Sequence, residues 1–165
     1  MWSAAIEERA RAIIAEFTRR GLKIATAESC TGGLIAGALT EIAGSSSVFE
    51  RGFVTYSNEA KVEMLGVAAA TLAAHGAVSR KTAIEMATGA LEHSQADLAV
   101  AVTGIAGPSG GSAEKPVGLV HLAAATRTGR LLHREMRYGD IGRGAVRLAT
   151  VATALDLLRE VAQEP

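Results

Sequence analysis

The chain has 165 residues, 48% of them apolar and 4% aromatic, so a single domain over residues 1–165 is expected, with a core of Ala, Val, Leu and Ile. Lys and Arg number 17 against 17 Asp and Glu with no basic run, which argues against a protein that grips nucleic acid through a positive face. Cys30 is the one cysteine, which excludes an internal disulfide and favours a reducing, cytoplasmic setting; no basic-then-apolar leader opens the chain, and no apolar run approaches the roughly 20 residues that span a membrane.

Ile6, Ala10, Ile13, Ile14 and Phe17 recur at helical spacing, with Glu7 and Glu8 early, Arg19 and Arg20 late, and Gly21 where a C-cap belongs. Residues 22–28 read as a strand. A helix is expected from about Thr31 to Ile42, turning Leu34, Ile35, Ala38, Leu39 and Ile42 inward. Gly44 to Ser47 is a loop, Gly52 to Tyr56 a strand, and Asn58 the expected N-cap of a short helix that ends near Gly66. A longer helix from about Ser79 to Glu92 turns Ile84, Ala87 and Leu91 inward.

Residues 97–102 are almost all apolar, as in a central strand covered on both faces. Residues 117–125 and 131–138 flank Arg127-Thr128-Gly129 and read as an antiparallel hairpin. The last helix, about Gly144 to Val161, turns Val146, Thr150, Thr153, Leu157 and Val161 inward. Interleaved helices and strands with a late antiparallel hairpin predict an α/β fold: a three-layer α/β/α sandwich around a mixed sheet.

Ser29 and Cys30 stand at the junction of a strand and a helix, followed by Thr31, Gly32 and Gly33. Free N–H groups at a helix N-terminus attract a phosphate or a developing oxyanion, so this is a place for a nucleophile. The residues leave alternatives open. Ser29 is a nucleophile, or Ser29 or Thr31 caps the helix. Cys30 is a nucleophile or a small core residue. Glu28 faces the site as an acid or base, or ends the strand.

A nucleophilic serine needs a base, and none of His75, His93, His121 and His133 has a triad context. Of Lys23, Lys61, Lys81 and Lys115, Lys61 stands out beside Tyr56-Ser57-Asn58 and among Val62, Met64 and Leu65; it is a base with a pKa lowered by burial, or a solvated helix lysine. Thr103-Gly104-Ile105-Ala106-Gly107-Pro108 with Gly110 and Gly111 forms a second glycine-rich segment that matches neither a Walker A loop nor a dinucleotide fingerprint. It approaches a ligand closely or is a surface loop. Arg143 and Arg147, four apart on one helical face, bind a phosphate in fork geometry or mark a solvated helix start.

Taken in order, Thr26-Ala27-Glu28-Ser29-Cys30-Thr31-Gly32-Gly33, Tyr56-Ser57-Asn58 with Lys61, Thr103 to Pro108 with Gly110-Gly111, Lys115-Pro116-Val117-Gly118 and Gly139-Asp140 with Arg143 resemble the C-terminal domain of the competence/damage-inducible CinA family. The resemblance covers nearly the whole chain. It departs at one point: the family has Gly-Asp-Arg contiguous, whereas Ile141 and Gly142 separate Asp140 from Arg143 here.

Stand-alone members of that family are nicotinamide mononucleotide deamidases, so the resemblance implies hydrolysis of the nicotinamide carboxamide to nicotinate mononucleotide and ammonia, in pyridine-nucleotide salvage. It implies Ser29 as nucleophile and Lys61 as base, with Tyr56 and Ser46 supporting them, and no metal or other cofactor. Cys30, Thr31, Gly32, Gly33, Thr103, Gly104, Gly107 and Arg143 are the expected substrate-binding residues, with Arg143 on the phosphate. A homodimer is expected by analogy. The competing reading is a non-catalytic nucleotide-binding or interaction module tied to competence or DNA damage, which needs the glycine loops but not Ser29 and Lys61 together. A cysteine hydrolase working through Cys30 is a third.

Overall fold

The computed structural model describes residues 1–163. Its elements run α1 (Ala4–Arg20), β1 (Ile24–Glu28), α2 (Leu34–Thr40), β2 (Phe49–Val54), α3 (Asn58–Leu65), α4 (Ala69–His75), α5 (Arg80–Glu92), β3 (Leu98–Gly104), β4 (Leu119–Thr126), β5 (Leu131–Arg137) and α6 (Arg143–Val161), with a 3-10 turn at Ser45–Ser47. The five strands form one mixed sheet in the order β2-β1-β3-β4-β5. β1 is parallel to both β2 and β3, whereas β3, β4 and β5 pair antiparallel. The expected α/β fold, mixed sheet and late hairpin are all present.

The strands alternate side chains between two unlike faces. Ile24, Leu98, Val100, Val102, Val120 and Leu122 pack with Ile13, Phe17, Ile35, Leu39, Leu155 and Leu158 from α1, α2 and α6. Ala25, Ala27, Ala99, Ala101, Ala123 and Ala125 meet Ala83, Met86, Ala87 and Ala90 of α5, with Leu65 of α3. Small side chains on both partners let α5 lie close to the sheet, which is how a chain so poor in aromatics fills its core.

That closeness reaches an extreme at Gly89. A Cβ there would stand 2.9 Å from the Leu65 carbonyl carbon and 3.1 Å from its Cβ, and closer still to its oxygen. Gly89→Ala is therefore expected to cost about 2–4 kcal/mol of stability, read as a lowered urea midpoint, because α3 must be pushed off α5.

Several local expectations are corrected. α2 begins at Leu34 rather than Thr31, since residues 29–33 form a turn first. Ser57, not Asn58, caps α3, its hydroxyl accepting from Ala60 N at 3.0 Å. β2 spans Phe49–Val54 and so ends before Tyr56. α4 was not anticipated: its Ala-rich sequence buries only Thr71 and carries no apolar stripe to reveal it. Leu34, Ile84 and Thr153 are half-buried rather than core.

Candidate active site

From β1 the chain crosses one face through α2 to reach β2, then returns over the other face through α3, α4 and α5 to β3 on the far side of β1. The C-terminal ends of β1 and β3 therefore open a crevice of the kind that receives ligands in open α/β sheets. Ser29 stands at the end of β1, its N–H donating to Val102 O of β3 at 3.1 Å. The adjoining cleft, about 260 Å³, is lined by Ser29, Cys30, Tyr56, Lys61, Thr103, Gly104, Gly107 and Arg143 among others.

Lys61 is 1% exposed, which excludes the solvated helix lysine. Its Nζ lies 3.0 Å from Ser29 Oγ, and it donates to the carbonyls of Thr55 at 2.8 Å and Tyr56 at 3.2 Å. Burial disfavours the ammonium and lowers the Lys61 pKa from its ordinary value. Nζ also reaches the Ser57 carbonyl at 3.5 Å; in the neutral form of the amine, two N–H bonds on the nearer Thr55 and Tyr56 carbonyls leave the lone pair for the Ser29 hydroxyl. Thus the connection between β2 and α3 orients the amine through its carbonyls.

Cys30 borders the cleft but is buried in the core cluster it shares with α1, α2 and α6. Burial pushes its thiol up to about 11, which leaves it protonated and a poor nucleophile near neutrality and removes the cysteine-hydrolase reading. Glu28 is neither acid nor base toward the cleft. Its carboxylate accepts from Thr31 Oγ1 at 2.6 Å, Ile35 N at 2.9 Å and Ala36 N at 3.0 Å, and so occupies the α2 N-terminus itself. The anion site expected at that helix start is already filled from within.

Thr31, Gly32 and Gly33 accordingly do not line the cleft, contrary to expectation. Thr31 is buried, while Gly32 and Gly33 take positive φ of 56° and 104° to turn the chain back behind Ser29. Ser46 is also misplaced by the resemblance. It is exposed in the turn before β2, where the neighbouring Ser47 carbonyl accepts from Lys23 Nζ at 3.2 Å. That is the opposite end of β1 from Ser29, about 17 Å away along the strand.

Thr103 lines the cleft and donates its hydroxyl to Ala77 O at 2.8 Å, which brings the α4–α5 connection to the rim. Ser109 and Gly110 of the glycine-rich segment join the lining, as do Ala77 and Val78, which carry no chemical signal by which sequence could find them. Arg143 spans the mouth, donating to Gly107 O at 2.8 Å and to the Tyr56 hydroxyl at 2.9 Å. The two residues between Asp140 and Arg143 thus do not keep Arg143 from the cleft. Arg147 diverges from it and binds the backbone carbonyls of Cys30 and Thr31, so the two arginines form no common fork.

The family model of the CinA C-terminal domain matches residues 6–162. A protein of Escherichia coli called nicotinamide-nucleotide amidohydrolase PncC is 58% identical over 140 residues, covering 84% of either chain. A CinA-like protein of Geobacter sulfurreducens is 54% identical over 143 residues, 87% of this chain and 34% of that longer one. Among solved structures, the competence/damage-inducible protein CihA of Agrobacterium tumefaciens superposes with a TM-score of 0.98 at 67% identity, over 99% of each chain.

Proposed function

The chain belongs to the CinA C-terminal domain family, and from that premise we propose that it is a nicotinamide-nucleotide amidohydrolase working through a Ser29–Lys61 pair. The substrate is nicotinamide mononucleotide, and the products are nicotinate mononucleotide and ammonia. One observation carries the mechanism: a buried amine of lowered pKa at 3.0 Å from the hydroxyl of Ser29. A binding module has no use for that arrangement, since burying a lysine beside a serine destabilises the fold without helping the glycine loops hold a ligand.

Neutral Lys61 takes the Ser29 proton as Oγ attacks the carboxamide carbon. The tetrahedral adduct collapses with cleavage of the C–N bond, and the Lys61 ammonium returns its proton to the leaving nitrogen, which departs as ammonia. Water, deprotonated by Lys61, then attacks the acyl carbon and releases the carboxylate, restoring the Ser29 hydroxyl. Arg143 at the mouth supplies the cation for the 5′-phosphate, and Tyr56 places Arg143 through its hydroxyl and Lys61 through its carbonyl.

The reading extends over one domain and carries with it a homodimer and a cytoplasmic setting. Exposed Val54 at the end of the edge strand β2, with Tyr56, Val62 and Met64 after it, supports the former. No helix among the described residues is long and apolar enough to cross a membrane.

Wild-type protein is expected to release ammonia from nicotinamide mononucleotide in the presence of a chelator. Its kcat/KM is expected to fall on the acid side as Lys61 takes up a proton, with an apparent pKa below the ordinary lysine value of about 10.4. Absence of ammonia release by the folded protein overturns the substrate, and loss of activity to the chelator overturns the metal-free pair.

A further inference from the structure

α4 buries Thr71 alone, so core packing does little to hold it, and groups from other segments hold both of its ends. At its start Ala68 offers no side-chain cap, and Glu85 of α5 takes that place, accepting from Ala68 N at 2.9 Å and from Thr71 Oγ1 at 2.6 Å. At its end the His75 carbonyl, one of those that helix geometry leaves unpaired, accepts from Lys115 Nζ at 2.6 Å. A carboxylate at the N-terminus and an ammonium at the C-terminus both complement the helix dipole.

The end of α4 runs straight into the wall of the cleft. Three consecutive carbonyls there accept from three different segments: His75 O from Lys115 in the loop between β3 and β4, Gly76 O from Thr82 Oγ1 of α5 at 2.8 Å, and Ala77 O from Thr103 Oγ1 of β3. Ala77 and Val78, which line the cleft, have no polar side chain with which to fix it. Gly76, at φ 76°, leaves room for the ammonium, since a Cβ there would stand 3.1 Å from Nζ. The backbone of Lys115 is itself tied down: Ser112 N donates to Lys115 O at 2.8 Å, and Lys115 N to Ser112 Oγ at 3.0 Å. The loop that carries Lys115 also supplies Ser109 and Gly110 to the cleft, whereas Lys115 does not line it.

We infer that Lys115 is a positioning residue: its ammonium joins the loop after β3 to the end of α4, and so holds Ala77 and Val78 where they close the cleft around the nicotinamide nucleotide. This rests on that reading of the substrate. Without the ammonium the His75 carbonyl loses the one donor it has among the described residues, and α4 opens locally more often than the core beneath it. Only closed molecules bind, so affinity falls with the closed fraction while the chemistry at Ser29 and Lys61 is untouched.

Amide exchange by NMR, with steady-state ammonia release from nicotinamide mononucleotide, tests this on wild type, Lys115→Met and Lys115→Arg. In Lys115→Met the amides of Leu72 and Gly76, which donate to Ala68 O and Leu72 O, are expected to exchange about 10-fold faster, the low end for loss of a hydrogen bond to a charged group. Exchange in β3 and the thermal midpoint are expected to stay near wild type. KM is expected to rise about 3–10-fold with kcat within about twofold, and Lys115→Arg to restore most of both changes, because a guanidinium still donates to a carbonyl. Unchanged exchange in Lys115→Met would overturn the proposal, and a raised KM beside it would make Lys115 a direct substrate contact. A fall in kcat at constant KM would overturn it too, as would faster exchange spread through β3 with a lowered midpoint. Failure of the substrate reading is distinguishable: the wild type then releases no ammonia, while exchange in the free proteins still decides whether Lys115 holds α4.

Discussion

Ser29→Ala is expected to lower ammonia release from nicotinamide mononucleotide by about 10⁴-fold or more, with the thermal midpoint within a few degrees of wild type. Single removals of a nucleophile acting with its base have effects of this size, since no other step of the reaction can proceed without it. No neighbour can stand in. Cys30 is buried in the core cluster and its thiol held protonated up to about 11. The hydroxyl of Thr31 is spent on Glu28, and that of Thr103 on Ala77. Titration calorimetry with the product nucleotide is expected to show binding retained in the variant, because the lost hydroxyl acts on the carboxamide carbon. A folded Ser29→Ala that keeps more than about a tenth of the activity would remove Ser29 as nucleophile.

Lys61→Met is expected to lower kcat by about 10³–10⁵-fold, and to change how stability depends on pH. In the unfolded chain Lys61 holds its proton up to about pH 10.4. In the fold, burial lowers its pKa and the amine is neutral from a lower pH. Between those two values unfolding takes up a proton, so this residue makes the wild type more stable as pH rises through the window, by at most about 1.4 kcal/mol per pH unit. Burying Lys61 therefore costs stability below the window, and the cost disappears above the unfolded value. Lys61→Met cannot take up that proton. Urea unfolding from about pH 8 to about pH 10 is expected to show a wild-type slope that the variant lacks. Equal slopes would mean that Lys61 is charged in the fold and is not the base.

These two residues also mark how far sequence alone reaches. The inward faces of α1 and the greater part of those of α2, α5 and α6 were readable because apolar residues recur at helical spacing, and the hairpin because a polar turn separates two strand-like runs. The turn after β1 and the loop after β3 announced themselves through glycines and hydroxyls at strand ends. α4, with no stripe and no side-chain cap, did not.

What only the tertiary structure decided is which polar groups are already spent, and on whom. Ser29 and Lys61 are 32 residues apart, and nothing in either segment says that α3 buries the amine against the end of β1. Glu28 looked like a candidate acid because its three donors lie in the turn and helix that follow, and their directions depend on Gly32 and Gly33 reversing the chain. Arg143 and Arg147 lie one turn apart, yet one reaches Gly107 and Tyr56 at the rim of the cleft and the other the Cys30 and Thr31 carbonyls behind Ser29, because the turn after β1 and the loop after β3 come to different sides of the α6 N-terminus. Ser46 was carried to the site by resemblance and lies at the far end of β1, since a parallel strand must return to its start before it can pair. Local sequence sets periodicity and backbone freedom; hydrogen bonds between distant segments set pKa, orientation and access, and those exist only once the chain has closed.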